Sequence, residues 1–134
     1  MKKILYVEDM EECYKKTNKV LGNFFEIDWR KNYSEAIDAI NKNLDKYSVA
    51  IFDINLDYEP YLSNDEQTKE GVSLIKIIKK ELKNKGISIP IICASSNGKL
   101  YRELSLKAGA DVFLWKKEFW EKGKIVLDNL IKKV

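Results

Sequence analysis

The segment from Val49 to Leu56 constrains the fold of this chain more than any other stretch. It begins with four consecutive apolar residues, Val49 to Phe52, and then reaches Asp53. An apolar run without polar alternation is typical of a strand that helices cover on both faces, as in a parallel sheet. Open sheets of this kind bind their ligands at the carboxyl ends of the strands. We therefore expect Asp53 to stand at the functional edge of the sheet.

Three other apolar runs also end in polar residues. They are Ile4–Val7 followed by Glu8 and Asp9, Ile91–Ala94 followed by Ser95, and Val112–Trp115 followed by Lys116. In a parallel sheet these polar groups arrive at the same edge as Asp53. Carboxylates that meet at one point repel one another unless a cation binds between them, and Mg²⁺ prefers such oxygen ligands. The pattern predicts a divalent-cation site with a nucleophilic aspartate, next to a hydroxyl and an ammonium group that suit phosphoryl transfer.

The rest of the chain alternates helix and strand patterns. Apolar spacing predicts five helices, which cover Met10–Leu21, Ser34–Leu44 with Ser34 as the cap, Gly71–Lys85, Lys99–Lys107, and a last helix from Glu118. Phe25 to Arg30 alternates apolar and polar residues, which predicts an edge strand. Five strand-helix units predict an α/β, doubly wound, flavodoxin-like (βα)5 fold with a five-stranded parallel sheet in the order 2-1-3-4-5. We expect a single domain over residues 1–134.

One connection departs from this regular pattern. The 15 residues from Leu56 to Glu70 show little periodicity and carry five acidic side chains, whereas a strand-to-helix loop usually takes about 2 to 6 residues. We expect an extended acidic loop at 56–70, beside the site because it starts just after Asp53. It could serve as a lid or a partner-binding element, or its tyrosines could simply anchor a long loop.

Composition excludes several classes of function. The chain has no histidine, which removes the usual imidazole base and an internal phosphohistidine. Only two of the 24 basic residues, Arg30 and Arg102, are arginines, so direct nucleic-acid binding is not expected. No apolar run is long enough for a membrane span or a signal peptide. Cys13 and Cys93 lack metal-ligand spacing, so free thiols in a cytoplasmic protein are expected.

The motifs at the strand ends resemble those of a known family. They are Tyr6-Val7-Glu8-Asp9, Phe52-Asp53, Ala94-Ser95-Ser96, Gly109-Ala110-Asp111 and Phe113-Leu114-Trp115-Lys116. In this order they resemble the receiver domain of two-component response regulators, of the single-domain type, over essentially the whole chain. The resemblance implies that Asp53 accepts a phosphoryl group from a sensor histidine kinase or a histidine phosphotransfer protein. Such a domain catalyses its own phosphorylation and dephosphorylation and is otherwise not an enzyme.

The resemblance also implies a role for each site residue. Asp9 and Asp53 would bind Mg²⁺ or Mn²⁺ directly, Glu8 would act largely through water, and Asn55 would add its backbone carbonyl. Ser95 and Lys116 would contact the phosphoryl group, and Phe113 would change rotamer when Ser95 moves. The implied output is a downstream protein that binds the face of helix 4, strand 5 and helix 5, with the chain a monomer or weak homodimer. Three features depart from the family pattern: Lys117 replaces a usual proline, Phe113 lacks a hydroxyl, and the acidic loop is longer than the family's usual connection.

Two other functions are open at this point. A degenerate receiver would bind proteins without being phosphorylated and would use the acidic loop for recognition. An aspartate-dependent phosphatase of the haloacid dehalogenase type usually needs a second acid two residues after its nucleophile. Asn55 occupies that position here, so we expect no turnover of phosphomonoesters.

Overall fold

The computed structural model describes residues 1–53, 64–96 and 99–132, and of residues 64–70 and 99–100 it describes the backbone. Strands and helices alternate along these ranges. The strands are β1 (Lys2–Val7), β2 (Phe25–Arg30), β3 (Tyr47–Phe52), β4 (Ile91–Ser95) and β5 (Val112–Trp115). The helices are α1 (Glu11–Leu21), α2 (Tyr33–Lys42), α3 (Asn64–Lys85), α4 (Lys99–Ala108) and α5 (Lys116–Lys132), with a short 3₁₀ helix at Leu44–Lys46.

The strands form one parallel sheet in the order β2-β1-β3-β4-β5. The predicted flavodoxin-like α/β fold and its strand order are therefore confirmed. Connections run to opposite sides of β1, so the switch point of the sheet lies between β1 and β3. Such a point leaves a crevice beyond the carboxyl ends of the two strands, where ligands bind in this class of fold.

Both faces of the sheet are covered, and successive residues of each central strand belong to opposite cores. Leu5 and Val7 pack into a cluster with α2, α3 and α4. Ile4 and Tyr6 pack into a second cluster with α1 and α5. This alternation fixes the register of the strands, because a shift by one residue would exchange the two cores. It also fixes the point at which each strand delivers its polar residue.

Helix α2 begins and ends differently from the prediction. Its cap is Asn32, not Ser34: the Asn32 side chain accepts a hydrogen bond from the Glu35 backbone N–H at 2.9 Å and donates to the Glu35 carboxylate at 3.0 Å. The first bond satisfies a backbone N–H that would otherwise lack a partner at the start of the helix, and the second joins the two side chains. The helix ends at Lys42, and Leu44 lies in the separate 3₁₀ helix.

Two other helices begin earlier than predicted. Helix α5 starts at Lys116 rather than Glu118. Helix α3 starts at Asn64 rather than Gly71, so residues 64–70 are helical and the predicted loop at 56–70 is wrong for that part. Residues 56–63 of the predicted loop lie outside the described residues. In the described part of the chain, no helix is long and apolar enough to cross a membrane.

Candidate functional site

An acidic cluster occupies the switch point between β1 and β3. Glu8 and Asp9 follow β1, Asp53 follows β3, and the Asp53 backbone N–H donates to the Val7 carbonyl at 2.9 Å. This last rung of the sheet places the two strand ends side by side. One carboxylate oxygen from each of Glu8, Asp9 and Asp53 lies within 4.8 Å of the others. The sequence prediction that these three acids meet is confirmed by this geometry.

Lys116 enters the cluster from the first turn of α5. Its Nζ lies 2.7 Å from Oε1 of Glu8 and 3.4 Å from Oδ2 of Asp53. All three side chains are buried, and Glu8 is fully inaccessible to solvent. Strand β5 ends at Trp115, so the first helical residue places its ammonium group at the same sheet edge as the acids. A buried charge needs such partners, because burial without them is costly.

The pKa values of Glu8 and Lys116 are both raised, for different physical reasons. Burial, and then the neighbouring Asp53 carboxylate, raise the pKa of Glu8 to about 9, although Lys116 opposes this shift. Burial lowers the pKa of Lys116, but the charges of Asp53 and Glu8 outweigh it and raise that pKa above its ordinary value. Lys116 therefore stays charged at neutral pH. Among the described residues, the site is short of positive charge, because one ammonium group faces three carboxylates there.

The donor set fits a divalent cation. Glu8 Oε2 is buried and has no hydrogen-bond donor among the residues that the structure describes. The carboxylates of Asp9 and Asp53 converge with Glu8 from neighbouring strand ends. Hard cations such as Mg²⁺ take carboxylate oxygens and keep several waters. The three acids are therefore suited to hold such an ion.

The other predicted site residues lie at different positions relative to this cluster. Ser95 is fully buried at the end of β4, opposite Trp115 in the register of β4 and β5. Phe113 is half-buried on β5, and its ring lies edge-on to the ring of Trp115 with centroids 6.2 Å apart. Asn55 lies outside the described residues. The proposed roles of Ser95, Phe113 and Asn55 stay predictions.

Two residues near the cluster were not predicted from the sequence. The Cys13 thiol of α1 lies 3.5 Å from Lys116 Nζ, and burial, followed by the charge of Glu8, raises its pKa to about 11. Trp29 of β2 donates its indole N–H to the Glu8 backbone carbonyl at 2.7 Å. The helical spacing of α1 predicts that Cys13 lies on the inward face of that helix, and the alternation of β2 predicts the same for Trp29 on its strand. Neither pattern gives the contacted atom.

Of three comparisons with known proteins, the one with solved structures identifies the fold. No family model matches the chain, and no curated protein matches it. Among solved structures, a CheY-like response regulator receiver domain protein from Methanospirillum hungatei is 25% identical, with coverage of 100% of this chain and 99% of that chain and a TM-score of 0.70. The chain has the fold of a response regulator receiver domain. The receiver domain of Francisella response regulator 1452 is 26% identical, with coverage of 99% and 98% and a TM-score of 0.72.

A third structure with the receiver fold adds a chemical detail. A response regulator protein from Burkholderia pseudomallei, solved with a phosphorylated aspartic acid, a calcium ion and citrate, is 18% identical to this chain. The match covers 99% of this chain and 70% of the Burkholderia protein, with a TM-score of 0.74. At this identity the likeness establishes the fold alone. It shows that a protein with the receiver fold can carry both a phosphorylated aspartate and a divalent cation.

Proposed function

We propose that this chain is a phosphoacceptor receiver domain of a two-component phosphorelay. Asp53 accepts a phosphoryl group from a sensor histidine kinase or a histidine phosphotransfer protein. The observation that carries the proposal is the convergence of the Glu8, Asp9 and Asp53 carboxylates within 4.8 Å, with Lys116 Nζ in contact with Glu8 and Asp53. Receiver domains among the structural neighbours support it.

The transfer uses the residues of the sheet edge in distinct roles. The Asp53 carboxylate attacks phosphorus, so that an O–P bond forms and the P–N bond of the phosphohistidine breaks. The imidazole leaves as the neutral ring, with the electron pair of the broken bond on one nitrogen and a proton from solvent on the other. Lys116 stabilises negative charge on the phosphoryl oxygens, as positioned cations do in phosphoryl transfer. Glu8, Asp9, Asp53 and the backbone carbonyl of Asn55 would hold Mg²⁺ or Mn²⁺. The ion, when bound, screens the repulsion between the carboxylates and the incoming phosphoryl group.

The output is a change in a protein-binding surface. Ser95 moves to the phosphoryl group and Phe113 fills the space it leaves, which shifts an existing equilibrium of the face formed by α4, β5 and α5. A downstream protein recognises this face, where Leu106 and Trp115 are exposed. The domain acts on itself, as phosphoacceptor and as catalyst of its own dephosphorylation. It needs no nucleic acid or membrane and works as a monomer or weak homodimer.

Intact mass after incubation with Mg²⁺ and phosphoramidate tests this function. Phosphoramidate is a small donor with the same P–N bond, so no kinase is needed. We expect one added phosphoryl group on the wild-type chain and none on Asp53→Asn. Asp45→Asn is the matched control, because Asp45 is an exposed aspartate in the 3₁₀ helix that precedes β3, at the edge of the sheet opposite to the site. It should be labelled like the wild type.

Removal of the metal gives an independent arm of the same experiment. Chelation with EDTA should abolish labelling, because the uncompensated carboxylates then repel the phosphoryl group. A wild-type chain that stays unlabelled at saturating phosphoramidate and Mg²⁺ would refute the proposal. Labelling of Asp53→Asn at the wild-type level would refute the assignment of the phosphoacceptor.

One contact favours a second candidate function. Lys116 lies closer to Glu8, at 2.7 Å, than to Asp53, at 3.4 Å, so the lysine can form a lasting ion pair with Glu8 without a cation. In a degenerate receiver this ion pair would be permanent and the domain would act as a protein-interaction module. That function predicts partner binding that neither Asp53→Ala nor EDTA weakens. Loss of binding in either condition would exclude it.

A further inference from the structure

Trp29 makes a contact that the phosphoryl-transfer scheme does not use. It lies on the edge strand β2, where it pairs in register with Tyr6 of β1. Its side chain reaches past the end of β1, and the indole N–H donates to the backbone carbonyl of Glu8 at 2.7 Å. This is a strong, long-range hydrogen bond to the first residue of the acidic pair.

The bond extends the pairing of β1 and β2 beyond their regular ladder. The ladder ends at Val7 and Arg30, and the Glu8 backbone N–H donates to the Arg30 carbonyl at 3.0 Å. Beyond that point the second strand turns into α2, whose cap is Asn32. The side chain of Trp29 therefore supplies the donor for the Glu8 carbonyl. Both polar backbone groups of Glu8 are held by the neighbouring strand.

Two further side chains contact the Trp29 ring. Tyr14 of α1 stacks on it with centroids 4.2 Å apart and planes 3° from parallel. The Lys31 ammonium lies 4.9 Å from the ring centroid, in the range of a cation–π contact. A ring fixed in this way loses little further entropy when it donates its hydrogen bond. The indole is thus preorganised as a donor.

We propose that Trp29 is a positioning residue for the cation site, acting through the Glu8–Asp9 peptide. This inference rests on the proposed function, because it concerns the ion that the acidic cluster holds. The peptide links the two acids that follow β1, so its orientation sets how their carboxylates face Asp53. Without the indole donor, the peptide at the end of β1 can rotate. The acids must then be ordered anew each time an ion binds.

Loss of a partner that orients a metal ligand typically weakens metal affinity about 10- to 100-fold. Trp29 holds the backbone of Glu8 and not a carboxylate, so we expect an effect at the lower end of that range. The effect should appear in affinity rather than in the transfer step, because the indole N–H of Trp29 donates to the Glu8 backbone carbonyl and not to a group that reacts. At saturating Mg²⁺ the phosphorylation rate should be nearly normal.

The test compares Mg²⁺ affinity and phosphoramidate labelling in Trp29→Phe and the wild type. Phenylalanine retains a ring for Tyr14 and removes the donor. We expect the Kd for Mg²⁺ to rise about tenfold, with a labelling rate at saturating Mg²⁺ within about twofold of wild type. Replacement of Trp29 by 3-benzothienylalanine, which has sulfur in place of the indole N–H, is the second variant. It preserves ring size and stacking, so it should reproduce the change in Kd without a loss of stability.

Trp120→Phe is the matched control. Trp120 also donates its indole N–H to a single oxygen, that of the Thr17 hydroxyl at 3.1 Å, and so loses the same kind of bond. It should leave the Kd for Mg²⁺ within about twofold of wild type. An unchanged Kd in both Trp29 variants, with normal binding and labelling of the wild type, overturns the positioning role and leaves the proposed function intact. A wild-type chain that neither binds Mg²⁺ nor is labelled overturns both.

Discussion

Lys116 faces two carboxylates in a buried site, and this arrangement predicts both a structural and a functional role for it. Its ammonium group neutralises Glu8 at 2.7 Å and reaches Asp53 at 3.4 Å. Removing one partner of a buried ion pair generally costs about 3–5 kcal/mol, because the other charge is left without compensation. Here the penalty is limited, because the pKa of Glu8 is already raised to about 9 and the acid can keep a proton.

Lys116→Met tests this double role. We expect the free energy of unfolding at pH 7 to fall by about 1–3 kcal/mol, less than for an uncompensated pair. The rate of phosphoramidate labelling should fall by about a hundredfold, as for loss of one donor to developing negative charge. Urea titration and intact mass over time measure the two effects.

The neighbouring residue provides the control for Lys116→Met. Lys117 follows directly and is exposed, so Lys117→Met removes the same charge from the surface. It should change neither the unfolding free energy nor the labelling rate beyond experimental error. Equal rates for Lys116→Met and the wild type would show that the ammonium group does not take part in the transfer.

Single residues of the site differ in how far the sequence could place them. Glu8, Asp53 and Lys116 follow apolar runs, and the geometry of a parallel sheet brings all strand ends to one edge. That rule needs no knowledge of side-chain packing. The contacts of Cys13 and Trp29 depend on the rotation of α1 and on the rotamer of an edge-strand side chain. Periodicity gives the face on which such residues lie and leaves the contacted atoms undetermined.

At the scale of elements, α1, β1 and α5 are joined by a buried hydrogen-bond chain. The Thr17 hydroxyl donates to the Tyr6 hydroxyl at 2.9 Å and accepts from the indole N–H of Trp120 at 3.1 Å. Thr17 is one turn beyond Cys13, and Trp120 is one turn beyond Lys116. The two helices are therefore connected at two levels, once by this chain and once by the contact between Cys13 and Lys116 at 3.5 Å.

Thr17→Val removes the central hydroxyl while keeping the shape of the side chain. Trp120 then loses its acceptor, and Tyr6 loses its partner in a buried environment. Leaving buried polar groups unsatisfied costs about 1–3 kcal/mol, and we expect a loss of unfolding free energy in that range by urea titration. Thr17→Ser keeps the hydroxyl and should lose less. If Thr17→Val is as stable as the wild type, the hydrogen-bond chain does not contribute to holding α1 and α5 together.

The boundaries of the elements were harder to predict than their existence. Helix α3 begins at Asn64, but residues 64–70 contain no aliphatic or aromatic residue, so apolar periodicity gives no helical signal there. The start of α2 was placed at Ser34 because serine is a good cap. Asn32 caps the helix instead, because it forms two hydrogen bonds with Glu35. Both residues are of types that favour the cap position, so residue type alone does not decide between them.

At the scale of the whole molecule, the three tryptophans report on three different regions. Trp29 contacts the acidic pair, Trp115 ends β5 and is exposed, and Trp120 lies between α5 and α1. Trp115 also pairs in register with Ser95 and lies edge-on to Phe113. A movement of Ser95 toward the phosphoryl group should therefore reach Trp115, through the pairing of β4 with β5 or through the ring of Phe113.

Labelling the chain with 5-fluorotryptophan allows each region to be followed by ¹⁹F NMR, with assignments from the three single Trp→Phe variants. Mg²⁺ alone should shift the Trp29 resonance, because the ion orders the acidic pair that Trp29 contacts. Phosphoramidate with Mg²⁺ should then shift Trp115 most and Trp120 least, because the buried chain through Thr17 holds Trp120. Asp53→Asn lacks one of the proposed metal ligands, so it should show the Mg²⁺ shift at a higher Mg²⁺ concentration and no further change with the donor. A Trp115 resonance that stays in place in fully phosphorylated protein would mean that the signal does not pass through β5, and the output face would have to lie elsewhere on the domain.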